Sequence, residues 1–348
     1  MRRGKGQGKM PTRKDGKNGT SRGILFLRLC ALAAALVCGA SLAAYGISAL
    51  RAGRTGAELE KVYRGAPETS ALPAVTPVFA EGMREGTRTR DYVPVTFPPE
   101  GMEEIKEGMG TVPPATQVPR VTARPAGERL APGNYPGNPH LAVSPRFKAL
   151  REKNKDIVGW LTIGGLIDTA VVQRDNTYYL THDALGKRNI NGAVFLEETV
   201  DLKTAPRTLI LYGHNMKSGE MFACLRKYED AAFYRGSPFI RMDTMYEDGL
   251  YVVAAAAVIS AKEGAGAWVD LSRLCSSTTA WRREEIEKLM ALSFYTRTVD
   301  AEPGDSLLLL ITCVGDGDER RVVLARRLRD GETEADMSER AALAERKN

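Results

Sequence analysis

LLLLITC at Leu307–Cys313 and LYGHN at Leu211–Asn215 decide how this chain is read. Each is a short apolar run with a chemically active side chain at or just past its end. An apolar run of about four to eight residues reads as a strand buried on both faces. The end of such a strand is a rigid place from which to present a side chain to a cleft. Cys313 and His214 stand at these two ends, and Arg320 opens the next run, RRVVLARR at Arg320–Arg327. The chain has only three histidines, so one placed at a strand end is informative.

These residue types suit acyl transfer. A cysteine is a few per cent thiolate at neutral pH yet intrinsically very nucleophilic. An imidazole shifts that balance or protonates a leaving amine, and a guanidinium supplies the donor that a developing oxyanion needs. Each residue also has a plainer reading. A cysteine in a buried strand is commonly a small apolar side chain, Gly213-His214-Asn215 fits a polar turn, and Arg320 fits a solvated strand end.

Working outward, Arg146–Lys153 predicts a short helix, and Asp156–Ile163 and Ile167–Gln173 predict strands around Gly164-Gly165. Ala193–Leu196 and Thr208–Tyr212 follow as strands, and Met221–Tyr228 has helical spacing. Phe239–Met245 and Leu250–Ile259 flank Asp248-Gly249 and predict a hairpin. Thr279–Leu292 is an amphipathic helix ahead of the cysteine strand, and Arg320–Leu328 is the last strand. Many short strands with few helices imply a mostly-β fold, a barrel of about eight strands with peripheral helices. This domain is expected over residues 141–330, and the charged tail 331–348 is expected to fray.

The formal charge of +6 raises nucleic acid as a partner. Residues 1–28 hold nine Lys or Arg and one Asp, whereas residues 141–330 hold 26 basic and 26 acidic residues. The excess therefore sits in the tail, which argues against nucleic-acid binding by the folded part. Residues 29–50 are 22 positions without a charge. At ~1.5 Å per residue they suffice to cross a hydrocarbon core of ~30 Å. The basic tail places the N-terminus in the cytoplasm and the rest of the chain outside. A cleaved signal peptide is the alternative, but its apolar region is usually only ~7–15 residues. Residues 51–140, with thirteen prolines from Pro67 to Pro139, read as an extended linker between anchor and domain, interrupted by a short helix around Ala57–Tyr63. Cys224, Cys275 and Cys313 lie outside the apolar segment; three is odd, so at least one thiol stays unpaired within the chain. No Cys-x-x-Cys or Cys/His cluster has metal-ligand spacing, and no cofactor is implied.

Taken in order, these segments resemble the sortases, class B most closely. The resemblance rests on LLITC (Leu309–Cys313), LYGHNMKSGEMF (Leu211–Phe222), RRVVLARR, DIVGWLTI (Asp156–Ile163), AVVQRDNTYYL (Ala170–Leu180) and KYEDAAFYRGSPFI (Lys227–Ile240). It implies a sortase-like barrel and a cysteine transpeptidase on the outer face of a Gram-positive membrane. Cys313 would attack a backbone carbonyl in the C-terminal sorting signal of an exported protein. His214 would protonate the departing amine and deprotonate the incoming one, which a cell-wall precursor or a pilin lysine supplies. Arg320 would bind substrate backbone and oxyanion. Strand alternation lets only one of Arg320 and Arg321 face the cleft, and the family's Arg-x-Val-Val pattern selects Arg320. Asn176, Leu180 and Tyr212 occupy positions that line the substrate groove in class B enzymes. The chain departs from the family pattern at Leu309, usually Thr, and at Ile311, usually small or hydroxylated. Ile311 faces the same way as Cys313 and so would reshape the pocket. Cys224 is expected to be helix packing. The rival readings are a thiol protease that passes the acyl group to water, and a tethered, inactive binding module. An L,D-transpeptidase does not fit, because Ile311-Thr312-Cys313-Val314 lacks its Ser-x-Gly-Cys context.

Overall fold

Alternation along the strands sends successive side chains to opposite faces of a sheet, and here both faces are covered. The computed structural model describes residues 46, 50, 53–66, 128–315 and 317–347. Eight strands close into a barrel: β1 (Ile157–Ile163), β2 (Ile167–Val172), β3 (Val194–Leu196), β4 (Thr208–Tyr212), β5 (Phe239–Thr244), β6 (Leu250–Ser260), β7 (Leu307–Val314) and β8 (Glu319–Arg327). Their order around the barrel is β1-β2-β3-β4-β7-β8-β6-β5, with β5 returning to β1. Two pairings are parallel, β2 with β3 and β4 with β7; the others are antiparallel.

β7 shows why an unbroken leucine run suits this position. Leu307, Leu309 and Ile311 enter one apolar cluster, while Leu308 and Leu310 enter another on the opposite face. Burying each such side chain contributes roughly 1.5–3 kcal/mol, so a polar residue at any of them would be costly. The eight strands lie where alternation placed them, and the amphipathic helix of Thr279–Leu292 packs Ile286, Leu289 and Met290 into the first cluster. Its Arg282 is almost fully buried. The guanidinium donates to Pro303 O at 2.7 Å, Thr208 Oγ1 at 2.7 Å, Asp305 O at 2.9 Å and Leu274 O, tying the helix to the start of β4.

Two boundaries differ from the sequence reading. A helix over residues 53–65 (α1) packs on the barrel: Leu59 and Tyr63 are buried in the first cluster, and the Tyr63 ring stacks on Trp160 with centroids 4.4 Å apart. Residues from 128 onward also belong to the domain, with Tyr135 buried and its hydroxyl donating to Leu202 O at 2.6 Å. The linker expected over 51–140 is therefore domain at both of its ends. The tail does not fray either. The last helix, Glu334–Ala342, starts at a reciprocal cap between Thr333 and Asp336 and buries Met337 and Ala341. The further helices are Pro145–Lys153 (α2), Ala231–Gly236 (α3) and Leu271–Leu274 (α4), so Thr279–Leu292 is α5 and Glu334–Ala342 is α6. Among the described residues no helix is long and apolar enough to cross a membrane; the segment 29–50 lies, but for Gly46 and Leu50, outside them.

Candidate active site

Parallel pairing of β4 with β7 brings the two opening motifs together. Tyr212 is level with Ile311, the last pair of that register, and His214 and Cys313 each follow two residues on. Polar bonds hold the strand ends in that register: Gly213 N donates to Ile311 O at 3.3 Å, Thr312 Oγ1 to Gly213 O at 2.7 Å, and Asn215 Nδ2 to Cys313 O at 2.9 Å. Gly213 is a glycine for a visible reason, because a Cβ there would meet the Phe222 ring at 2.8 Å.

Antiparallel pairing of β7 with β8 sets Cys313 directly opposite Arg320 and Thr312 opposite Arg321. Arg320 alternates with Val322 and Leu324, which belong to the cluster against which Cys313 packs. Arg321 alternates with Val323 and Ala325 on the other face, where its guanidinium pairs with Glu229. Arg320 thus shares the cysteine's face. Its Nη1 donates to Glu319 O at 3.0 Å and to Gly317 O in the β7–β8 turn.

The histidine's tautomer follows from one contact. His214 Nε2 lies 2.8 Å from Leu180 O, and a carbonyl only accepts, so Nε2 carries a proton. Proton exchange with substrate therefore falls to Nδ1. Gly192 packs under the ring with φ of +60°, and a Cβ there would lie 2.5 Å from Tyr179 O and 3.1 Å from His214 Cδ2. Leu180 thus serves the site through its backbone; its side chain is buried in the cluster below. None of Leu180 O, Gly192, Asn215 or Thr312 was singled out from sequence; the glycine's close approach becomes visible only once residues 178–192 and 214 meet.

The remaining groove candidates are tied down rather than open. Asn176, Tyr212 and Ile311 are all buried. Asn176 Nδ2 donates to Glu197 Oε1 at 2.8 Å, and Tyr212 Oη to Glu197 Oε2 at 3.1 Å. Glu197 itself is fully buried, and burial pushes its carboxyl above the ordinary range, against the pull of those two hydrogen bonds. Cys224 is buried in the 3-10 helix Phe222–Glu229, and burial pushes its thiol up to about 11, so at neutral pH it is protonated. Among the described residues, Cys224, Cys275 and Cys313 form no disulfide.

Sortase B of Listeria monocytogenes is 34% identical to this chain over 175 residues, 49% of the chain and 68% of the relative. The chain belongs to the class B sortases. Sortase B of Staphylococcus aureus is likewise 34% identical, over 106 residues covering 30% of the chain and 43% of that protein. Crystalline sortase B from Bacillus anthracis aligns with 28% identity and a TM-score of 0.48, over 58% of this chain and 89% of that one. No family model matches. As a class B sortase, the chain is a cysteine transpeptidase built on an eight-stranded barrel.

Proposed function

We propose that Cys313, His214 and Arg320 carry the transpeptidation through a thioester on Cys313. The observation that supports this most is the register: β7 and β8 set Arg320 across from Cys313, and the parallel β4–β7 pairing, ending at Tyr212 and Ile311, brings the segment that carries His214 to the same strand end. The Cys313 thiolate adds to a backbone carbonyl within a C-terminal sorting signal. Arg320 donates to the oxyanion that forms, as oxyanion donors do. His214 gives the proton on Nδ1 to the departing amine nitrogen, the C–N bond breaks and the thioester remains. An incoming primary amine then loses its proton to the same nitrogen and attacks the thioester, releasing the thiolate and forming a new amide. The same basic residues in the tail and the uncharged segment 29–50 support a single-pass anchor with the catalytic unit outside the cell. The acceptor amine is a cell-wall precursor or a pilin lysine, and the enzyme serves exported proteins of a Gram-positive envelope.

Intact-mass spectrometry of the full chain in detergent, given a panel of sorting-signal peptides and an amine, tests the mechanism. The expected result is an acyl adduct on Cys313 that is absent in Cys313→Ala and is resolved to an amide by the amine. A product formed only with water would make the enzyme a protease. Absence of an adduct together with a Cys313 inert to thiol reagents would favour the inactive binding module.

A further inference from the structure

The imidazole of His214 is oriented by a main-chain atom, Leu180 O, 2.8 Å from its Nε2. That carbonyl sits in a 3-10 turn of only three residues, Tyr178–Leu180, and such turns have poorer hydrogen-bond geometry than an α-helix. A trans peptide unit is planar, with its C=O and N–H pointing opposite ways. The unit that carries Leu180 O also carries the Thr181 N–H, which donates to Tyr178 O at 3.3 Å. Where Tyr178 O lies therefore governs where Leu180 O points. A bond of that length is a weak hold on the plane by itself.

His182 pins Tyr178 twice, at its carbonyl and at its ring. His182 Nδ1 lies 2.8 Å from Tyr178 O, and a carbonyl only accepts, so that nitrogen carries a proton. Thr181 Oγ1 lies 3.2 Å from the same nitrogen. The His182 and Tyr178 rings stack with centroids 4.0 Å apart and planes within 5° of parallel. The Arg174 guanidinium lies over the same tyrosine ring, 4.0 Å from its centroid, where the ring's quadrupole attracts a cation. Upstream, Asp175 Oδ1 accepts from Thr177 N at 3.0 Å and Tyr178 N at 2.8 Å and fixes the start of the turn. Leu180 stands midway between the two stacked residues. Tyr178 and His182 are only partly buried and Arg174 is exposed, whereas Tyr179 and Leu180 anchor the turn in the core. The stack therefore contributes more to the set of the turn than to the stability of the barrel.

We propose that His182 is a positioning residue for catalysis: by clamping Tyr178 at ring and carbonyl, it holds Leu180 O against His214 Nε2 and so keeps Nδ1 of His214 as the nitrogen that exchanges protons with substrate. This rests on the reading of His214 as the acid–base group. The two histidines then carry opposite tautomers, Nδ1–H at His182 and Nε2–H at His214. Because the clamp acts on orientation, its loss moves rate rather than affinity.

The test uses the full chain in detergent micelles with isotopically labelled histidine rings, of which there are three. Long-range nitrogen–proton spectra at about pH 8, well above the ordinary histidine pKa of ~6.5, report the tautomer of each ring. Steady-state kinetics on a cleaved sorting-signal peptide report kcat and KM. His182→Ala is expected to mix the tautomers of His214 and to lower kcat by roughly 10–10², the scale on which a misplaced catalytic group is felt, while KM moves less than about twofold. His182→Phe keeps an aromatic ring to stack but loses the N–H, and is expected to fall between His182→Ala and wild type. Tyr178→Phe keeps ring and carbonyl, losing only the hydroxyl's bond to Gly186 O at 3.3 Å, and is expected to match wild type. An unchanged His214 tautomer in folded His182→Ala overturns the proposal, as does an unchanged kcat or a loss confined to KM. Should His182→Ala fail to fold, His182→Phe decides alone, and a wild-type tautomer with a wild-type kcat there overturns the role. The underlying reading fails differently: a His214→Ala chain that forms the acyl adduct at the wild-type rate sinks the acid–base role, and with it the catalytic purpose of the clamp, whatever the spectra show.

Discussion

At the scale of single residues, the two adjacent arginines of β8 make opposite demands. Arg320 shares a face with Cys313, whereas Arg321 pairs with Glu229 on the other face. Arg320→Ala should cut the acylation rate by roughly 10²–10³, the usual cost of removing an oxyanion donor. Arg320→Lys should recover only part of it, since an ammonium lacks the guanidinium's planar fork. Arg321→Ala should lower Tm and leave acylation per folded molecule intact; rates and melts on the three variants separate these outcomes. Gly192 gives a second prediction. Alanine there combines a φ of +60° with a Cβ 2.5 Å from Tyr179 O and 3.1 Å from the imidazole. Gly192→Ala should therefore slow acylation more than tenfold by displacing His214, and a wild-type rate with a wild-type melt would refute the packing argument. That Cys313, His214 and Arg320 stand at strand ends, and that Arg320 rather than Arg321 shares the cysteine's face, was legible from apolar runs and a family pattern. The burial of Glu197 was not, because an acidic residue after a short apolar run normally reads as a solvated strand end.

At the scale of elements, the strands were legible because each carries apolar residues on both faces, but their neighbours were not. That β4 lies parallel to β7 is a pairing across about a hundred residues, and local pattern does not encode it. Two helices show a different limit, α1 because it was read as part of a linker rather than of the domain, and α6 because its segment was expected to fray. α1 commits only a few residues, chiefly Leu59 and Tyr63, to the core, inside a stretch whose prolines dominate its composition. Tyr63 nonetheless stacks on Trp160, hydrogen-bonds Asp243 and accepts from Arg146 at 3.1 Å. Tyr63→Ala should cost about 3–5 kcal/mol, as large aromatic truncations do, read as a lower denaturant midpoint. α6 is hidden by its charge, yet the segment leading into it is moored by an acid–base network. Arg326 donates to Glu332 Oε1 at 2.8 Å, and Arg329 pairs with Asp300 at 2.8 Å and Asp305 at 2.7 Å. Partial burial alone would raise the Glu332 carboxyl, but Arg326 and the Arg329 N–H pull it below its ordinary value. A depressed folded pKa adds stability that is complete above the unfolded value, near ~4.3, and drains away as pH falls through the folded one. Glu332→Gln should therefore lower Tm at pH 7, and the gap to wild type should narrow as pH falls below the unfolded value of ~4.3. A gap that stays constant from pH 7 to 3 would show that the bond is not electrostatic in origin.

At the scale of the whole molecule, the order of segments along the chain changes how an anchor would act. The Pro-rich stretch follows α1 in sequence, so it does not stand between the uncharged residues 29–50 and the first helix of the catalytic unit. Between residue 50 and the described helical residues 53–65 lie only Arg51 and Ala52 in sequence. A tether spans at most ~3.3–3.6 Å per residue, so little chain is available there to act as a spacer. For the proposed anchor, the charge asymmetry would set the direction of insertion: nine basic residues and one acidic residue precede position 29, against a balanced catalytic unit. Basic residues next to a spanning helix are retained on the cytoplasmic side. In protoplasts carrying one tag at residue 1 and another at residue 348, external protease should destroy the C-terminal tag and spare the N-terminal one until detergent is added. Replacing the basic residues of 1–28 with neutral ones should weaken that asymmetry, because the charge difference rather than the apolar segment selects the orientation. If both tags are cleaved from the start, or the protein leaves with the medium, residues 29–50 act as a cleaved signal and the enzyme works unanchored.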